Sequence, residues 1–236
     1  MVYSSALCKA GSEMFLSRAC WTALAYWERN HLFGDSSEHL YFLFMRSYFI
    51  NNCPPDTADM TGNSMPCTAE LYQQAILLIG QLGKKLMDRS WMMGTAESCT
   101  GGLVATLCTE APGSSVWFAG GVVSYANSVK TAMLGVDEVL LERYGAVSGE
   151  VVTAMAGGLL GRLGVQAGIA FSGIAGPGGG SLEKPVGTVW TGIALAAPQP
   201  GREPVIRSSR SFFPGTRQDI RSAAALHGLG MLLAAL

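Results

Sequence analysis

From Thr68 onward the apolar and polar positions fall into alternating helical and extended patterns. Leu71, Ile76, Leu77, Leu78, Leu82 and Leu86 recur at helical spacing between Thr68 and Arg89. Lys84, Lys85 and Arg89 add positive charge where helix carbonyls lack partners, so a helix is predicted there. The apolar run Trp91-Met92-Met93 then feeds the stretch Gly94–Gly102, GTAESCTGG, ahead of Leu103-Val-Ala-Thr-Leu107. That layout predicts a strand, a tight glycine turn and a helix from about Gly102 to Glu110, stopped by Ala111-Pro112-Gly113.

Further strands are predicted over Gly121–Tyr125, Val165–Phe171, Val186–Leu195 and Val205–Phe213, with a Pro/Gly turn at 198–201 between the last two. Helical patterns fill Ser128–Leu134 and Glu138–Arg143. Ser148 is placed to cap an alanine-rich helix running to about Leu163, and Thr216–Leu236 reads as an amphipathic helix. Gly157, Gly158 and Gly161 weaken the alanine-rich helix by ~1 kcal/mol each relative to alanine, or permit close packing onto a sheet. Alternating strands and helices predict an α/β fold: a three-layer α/β/α sandwich on a mostly parallel or mixed sheet of about five strands.

Residues 1–59 lack this texture. The aromatic run His39–Ile50 is about half the ~20 apolar residues that span a bilayer, and Arg46 interrupts it. Lys9, Glu13 and Arg18 break the apolar core that a signal peptide needs. The turn-rich segment Asn51–Asp59 reads as a linker, followed by Met60 and Met65. Residues 1–64 are therefore expected to be an N-terminal extension, poorly ordered or a misassigned start, with the folded domain over 65–236.

Composition narrows the classes. Hydrophobic residues make up 49% of the 236, and charged residues 14% against a usual ~25%, which favours a much-buried fold over disorder. A net charge of −1 gives no global field to recruit nucleic acid or an anionic membrane. The six cysteines form no CxxC pair, and His31, His39 and His227 offer no metal-ligand spacing, so no metal site is expected. The cysteine usage suits a reduced, cytoplasmic protein.

Three loops that follow predicted strands, 96–102, 124–130 and 172–188, are placed to share a pocket at the carboxyl edge of an open sheet. Ser98 reads equally as a helix cap or as a nucleophile raised on a bend with free N–H groups around it. Cys99 is its neighbour, yet the domain supplies only His227 as a partner base, so Cys99 reads as core. Lys130 could act as a base if burial lowers its pKa, while spacing alone favours a surface lysine. Tyr125 reads by default as a packed strand residue. The glycine loop Ser172–Gly180 matches neither GxGxxG nor GxxxxGK[ST], and alone is as consistent with a connector as with a phosphate cradle. Lys184 and Arg217 are candidate phosphate partners or solvated charges.

Five ordered blocks carry a resemblance: AESCTGG (96–102), VSYANSVK (123–130), GAVSGE (145–150), SGIAGPGGGSLEKPVGTVW (172–190) and FPGTRQDIR (213–221). Over about Thr68 to Leu236 the chain resembles the nicotinamide-nucleotide amidohydrolase family, equivalent to the C-terminal domain of competence/damage-inducible CinA proteins. The resemblance implies deamidation of nicotinamide mononucleotide to nicotinate mononucleotide and ammonia, with neither metal nor organic cofactor. It implies Ser98 as nucleophile, Lys130 as base, Tyr125 in support and Arg217 on the substrate. Thr100, Gly101, Gly102, Gly173, Gly176 and Gly178 are the remaining expected substrate contacts. Ile174 stands where some members carry threonine, which removes a hydroxyl from that loop. A homodimer or higher homo-oligomer is expected, and Glu97 has no assigned role. The competing readings are a nucleotide- or phosphate-binding module without catalysis and a competence-related partner protein.

Overall fold

A computed structural model of the protein describes residues 68–197 and 202–236. The expected extension at 1–64 and the turn at 198–201 lie outside the described residues. Helix α1 spans Thr68–Asp88, followed by β1 (Met93–Glu97), α2 (Leu103–Glu110) and a single 3₁₀ turn over Ser114–Val116. Next come β2 (Phe118–Val123), α3 (Asn127–Leu134), α4 (Glu138–Tyr144) and α5 (Gly149–Leu163). Strands β3 (Ala167–Gly173), β4 (Thr188–Leu195) and β5 (Val205–Phe212) precede α6 (Arg217–Ala235).

The strands form one mixed sheet in the order β2-β1-β3-β4-β5. β1 is parallel to both β2 and β3, whereas β4 is antiparallel to β3 and β5 antiparallel to β4, so β4 alone runs against the other four. β3 shows how the sheet divides the core. Ile169 and Phe171 pack with Ile79, Leu82 and Leu86 of α1, Leu107 of α2 and Leu229 of α6. Ala170, between them and on the other face, joins Ala96, Ala194, Leu134, Met155 and Leu159. The second face is small by design of sequence. A Cβ at Gly168 would lie 2.9 Å from the Ala156 carbonyl oxygen, and one at Gly192 2.6 Å from that of Val152, so α5 sits close on the sheet. The predicted three-layer α/β/α sandwich is observed.

The strands differ from the sequence reading at their ends: β3 runs two residues later, β4 starts two residues later and β5 stops one residue earlier, and β1 and β2 differ most. β1 begins at Met93 and continues through Glu97, residues assigned above to the turn. It is buried along its whole length as an inner strand, and Thr95 is accommodated because its partner Gly121 has no side chain. β2 starts at Phe118 and ends at Val123, so Tyr125 lies beyond the strand. The Gly120-Gly121 pair inside β2 disguises it as a break in the pattern. Ser148 does cap α5, its hydroxyl accepting the Val151 N–H at 3.3 Å.

Topology sets the site's location. The carboxyl ends of β1, β2 and β3 share one edge of the sheet because those strands are parallel. The antiparallel register pairs Gly173 with Val189 and Thr188 with Phe212, bringing the end of β5 and the start of α6 to that same edge. All the candidate loops of the sequence reading therefore emerge together.

Candidate active site

Ser98 follows the last residue of β1, and its N–H donates to the Phe171 carbonyl at 3.0 Å. On the other side, the Ser124 N–H donates to the Glu97 carbonyl at 2.8 Å. The ladder is thus carried past both strand ends, which fixes Ser98 and Ser124 against one another. Ser98 is half-buried; Gly101, three residues on, and the segment 125–128 that follows Ser124 are exposed.

Lys130 lies in α3 and is 1% exposed, which removes the surface-lysine reading. Its Nζ donates to the Ser124 carbonyl at 2.8 Å and the Tyr125 carbonyl at 3.1 Å, and lies 3.5 Å from Ser98 Oγ. No carboxylate pairs with it among the described residues. Burial lowers its pKa from the ordinary 10.5, an effect that the nearby Cys99 sulfur opposes to a lesser extent. Nζ thus meets three oxygens, two main-chain carbonyls and the Ser98 hydroxyl.

Tyr125 is 65% exposed, so it is not a packed strand residue. Its main-chain carbonyl, not its phenol, reaches Lys130. Cys99 is buried in the core and burial pushes its thiol up to about 12, so it holds its proton at neutral pH.

The turn after Ser98 differs from the expectation that its N–H groups are all free. The Gly101 N–H donates to the Ser98 carbonyl at 3.2 Å, and the Leu103 N–H to the Thr100 carbonyl at 3.3 Å. The Gly102 N–H donates to Glu97 Oε2 at 2.9 Å. No oxygen among the described residues accepts the N–H groups of Cys99 and Thr100; both act instead on the Cys99 sulfur, where they lower its pKa against the effect of burial. Thr100 itself is fully buried, with its hydroxyl unpartnered among the described residues.

The glycine loop is tied to this turn through α6. Arg217 Nη1 donates to the Gly176 carbonyl at 2.7 Å. One helical turn on, Arg221 donates to the Thr100 carbonyl from Nη2 at 2.7 Å and from Nε at 3.3 Å. Gly173 is needed where β3 meets β4, since a Cβ there would lie 2.7 Å from the Thr188 carbonyl oxygen. Gly178 is exposed and open. Lys184 donates from Nζ to the carbonyl of Tyr144, the last residue of α4, at 3.2 Å. Sequence reasoning missed Glu97 and Arg221; the signal for the first was a helix opening on two glycines with no capping side chain.

The family model described as the CinA C-terminal domain matches residues 77–236. Nicotinamide-nucleotide amidohydrolase PncC of Enterobacter agglomerans is 46% identical over 149 residues, covering 63% of this chain and 87% of that protein. A CinA-like protein of Desulfotalea psychrophila is 49% identical over 151 residues, 64% of this chain but 35% of that relative. The chain thus spans about a third of the length of such CinA-like relatives. Among solved structures, competence/damage inducible protein CihA from Agrobacterium tumefaciens superposes with a TM-score of 0.63 at 37% identity, covering 68% of this chain and 94% of that one. On the family match and these relatives, the chain belongs to the CinA C-terminal domain family.

Proposed function

We propose that this chain is an amidohydrolase that converts nicotinamide mononucleotide to nicotinate mononucleotide and ammonia in pyridine-nucleotide recycling. The observation that carries the reading is Lys130, buried, held by two carbonyls and facing the Ser98 hydroxyl. The PncC name of a 46%-identical relative supports the substrate.

In this reading the neutral Lys130 amine takes the Ser98 proton as Oγ attacks the carboxamide carbon. The N–H groups of Cys99 and Thr100 stabilise the oxyanion. Collapse of the tetrahedral intermediate breaks the C–N bond, and the Lys130 ammonium returns its proton to the departing ammonia. Water then attacks the acyl-enzyme, giving its proton to Lys130, and Ser98 is reprotonated as nicotinate mononucleotide leaves. Tyr125 contributes its carbonyl, which holds the amine. Arg217 and the Gly176–Gly178 segment take the 5′-phosphate. Neither a metal nor an organic cofactor enters any step. The reading places the enzyme in the cytoplasm as a homo-oligomer, with the exposed Val123, Tyr125 and Met133 side chains as its apolar contacts.

Ammonia release from nicotinamide mononucleotide by wild type, Ser98→Ala and Lys130→Ala tests it. Turnover by wild type and loss in both variants is expected. A Ser98→Ala chain that turns over like wild type overturns the nucleophile, and an inert wild type that still binds the nucleotide favours a binding module.

A further inference from the structure

Glu97 is 1% exposed, and no step above uses its side chain. Its Oε2 accepts the N–H groups of Gly102 at 2.9 Å and Val104 at 3.1 Å, and its Oε1 accepts that of Ala105 at 2.8 Å. A helix start leaves four N–H groups without intrahelical partners, and a polar side chain at the N-cap usually serves one or two of them. At α2 the N-cap is Gly102, with φ 90° and no side chain to offer. A carboxylate five residues upstream does that work, and it belongs to the residue immediately before Ser98.

The turn is gripped from its other side as well. Arg221 forks onto the Thr100 carbonyl, and the Gly101 N–H of the same peptide unit is committed to the Ser98 carbonyl. The Thr100–Gly101 peptide is therefore fixed at both ends. The two N–H groups just upstream, on Cys99 and Thr100, meet the weak acceptor of the Cys99 sulfur and no oxygen among the described residues.

We propose that Glu97 and Arg221 are positioning residues for the reaction. Together they hold the 98–102 turn in the one conformation that presents Ser98 Oγ to Lys130, and fix the peptides whose Cys99 and Thr100 N–H groups are to meet the developing oxyanion in place of the Cys99 sulfur. The carboxylate also occupies the positive end of α2, so an anionic substrate group is directed elsewhere, toward the glycine loop and Arg217. The inference rests on Ser98 acting as the nucleophile.

A helix cap that is merely structural changes stability and leaves chemistry alone, which separates the two roles. The full chain and its Glu97→Gln and Arg221→Lys variants are compared for kcat and KM in ammonia release from nicotinamide mononucleotide. The rate of Ser98 sulfonylation by phenylmethanesulfonyl fluoride, read by intact mass, is followed alongside. Glu97→Gln keeps one acceptor oxygen but sets an amide NH₂ against a backbone N–H. It is expected to lower kcat about 10²-fold with KM nearly unchanged, because displacing a reacting group by about 1 Å costs that much. Arg221→Lys, which replaces a fork by a point donor, is expected to lower kcat about 10-fold. Sulfonylation slows in both, while the pH midpoint of the residual activity stays at the wild-type value because Lys130 is untouched.

A folded Glu97→Gln chain with wild-type kcat and wild-type sulfonylation overturns the proposal. Should Glu97→Gln not fold, Arg221→Lys decides, and wild-type kcat there overturns it equally. A wild type that neither releases ammonia nor reacts at Ser98 sinks the nucleophile reading and this inference with it. A wild type that is sulfonylated at Ser98 without releasing ammonia, with slower labelling in the variants, upholds the inference and rejects the substrate.

Discussion

Lys130 Nζ lies 3.5 Å from Ser98 Oγ across a sequence separation of 32 residues, with the amine fully enclosed and the serine half-open. Enclosure disfavours the ammonium, so the folded pKa is below 10.5 and a neutral base is available at lower pH than for a free lysine. The expected outcome is a kcat/KM for ammonia release that rises with pH to a plateau, with its midpoint below 10.5. Lys130→Arg, which stays charged, is expected to lose at least ~10²-fold at every pH. A flat wild-type profile from pH 6 to 10 would remove Lys130 as the base.

The same shift has a consequence for stability. In the unfolded chain Lys130 titrates near ~10.4, and in the folded chain lower. Between those two values the unfolded state binds more protons, so folding stability rises with pH across that window and levels off above it. A Lys130→Met chain lacks this contribution. Urea midpoints of the two proteins at intervals from pH 7 to 10 should therefore diverge in favour of wild type as pH rises, and parallel curves would contradict the burial argument.

Cys99 is adjacent to Ser98 in sequence and is excluded as nucleophile by its environment. With its pKa pushed up to about 12, the thiolate fraction at pH 8 is about one part in 10⁴. Iodoacetamide at pH 8 is expected to leave ammonia release intact over an hour, and Cys99→Ala to retain kcat within about threefold, the scale of a small repacking effect. Rapid inactivation with alkylation mapped to Cys99 would reverse the assignment.

Arg217 is exposed and spends one nitrogen on the Gly176 carbonyl, leaving its other donors for a ligand. Hydrogen bonds to a charged group are worth about 1.5–3 kcal/mol, or roughly 10- to 100-fold. Arg217→Met is expected to raise KM by that factor with a smaller change in kcat, and to leave KM for nicotinamide riboside, which lacks the phosphate, nearly unaltered. An equal KM increase for both substrates would place Arg217 away from the phosphate.

The helices were legible because their apolar spacing and end signals agree: Ser148 caps α5 where the sequence puts it, and α6 begins one residue after the predicted start at Thr216, which proves to be its cap. β1 was less so, since Thr95 and Glu97 are polar yet buried in an inner strand. Their partners, Gly121 and the start of α2, are not adjacent in the pattern. Lys130 shows the harder limit. Its spacing is that of a surface residue, and its burial follows from α3 folding back beneath the Ser98 turn, a tertiary fact with no local signature. Arg221 likewise acts across 121 residues on Thr100.

The glycines of α5 make a paired test of packing against propensity. Gly158 lies where the carbonyl oxygen of Leu134, at the end of α3, meets the helix so closely that a Cβ would overlap it. That oxygen is backbone and cannot swing aside, so Gly158→Ala must push α3 away from α5. Overpacking of this kind costs about 1–3 kcal/mol. Because α3 carries Lys130, the displacement also moves the amine from Ser98, and activity is expected to fall with stability. Gly161, one turn further along, is exposed with nothing within 4 Å of a Cβ. There the helix propensity of alanine acts unopposed, and Gly161→Ala is expected to stabilise by about 0.5–1 kcal/mol with unchanged kcat. Chemical denaturation and ammonia release on the two variants should therefore move in opposite directions, and equal stabilisation by both would mean that α3 and α5 do not approach as closely as the Leu134–Gly158 contact requires.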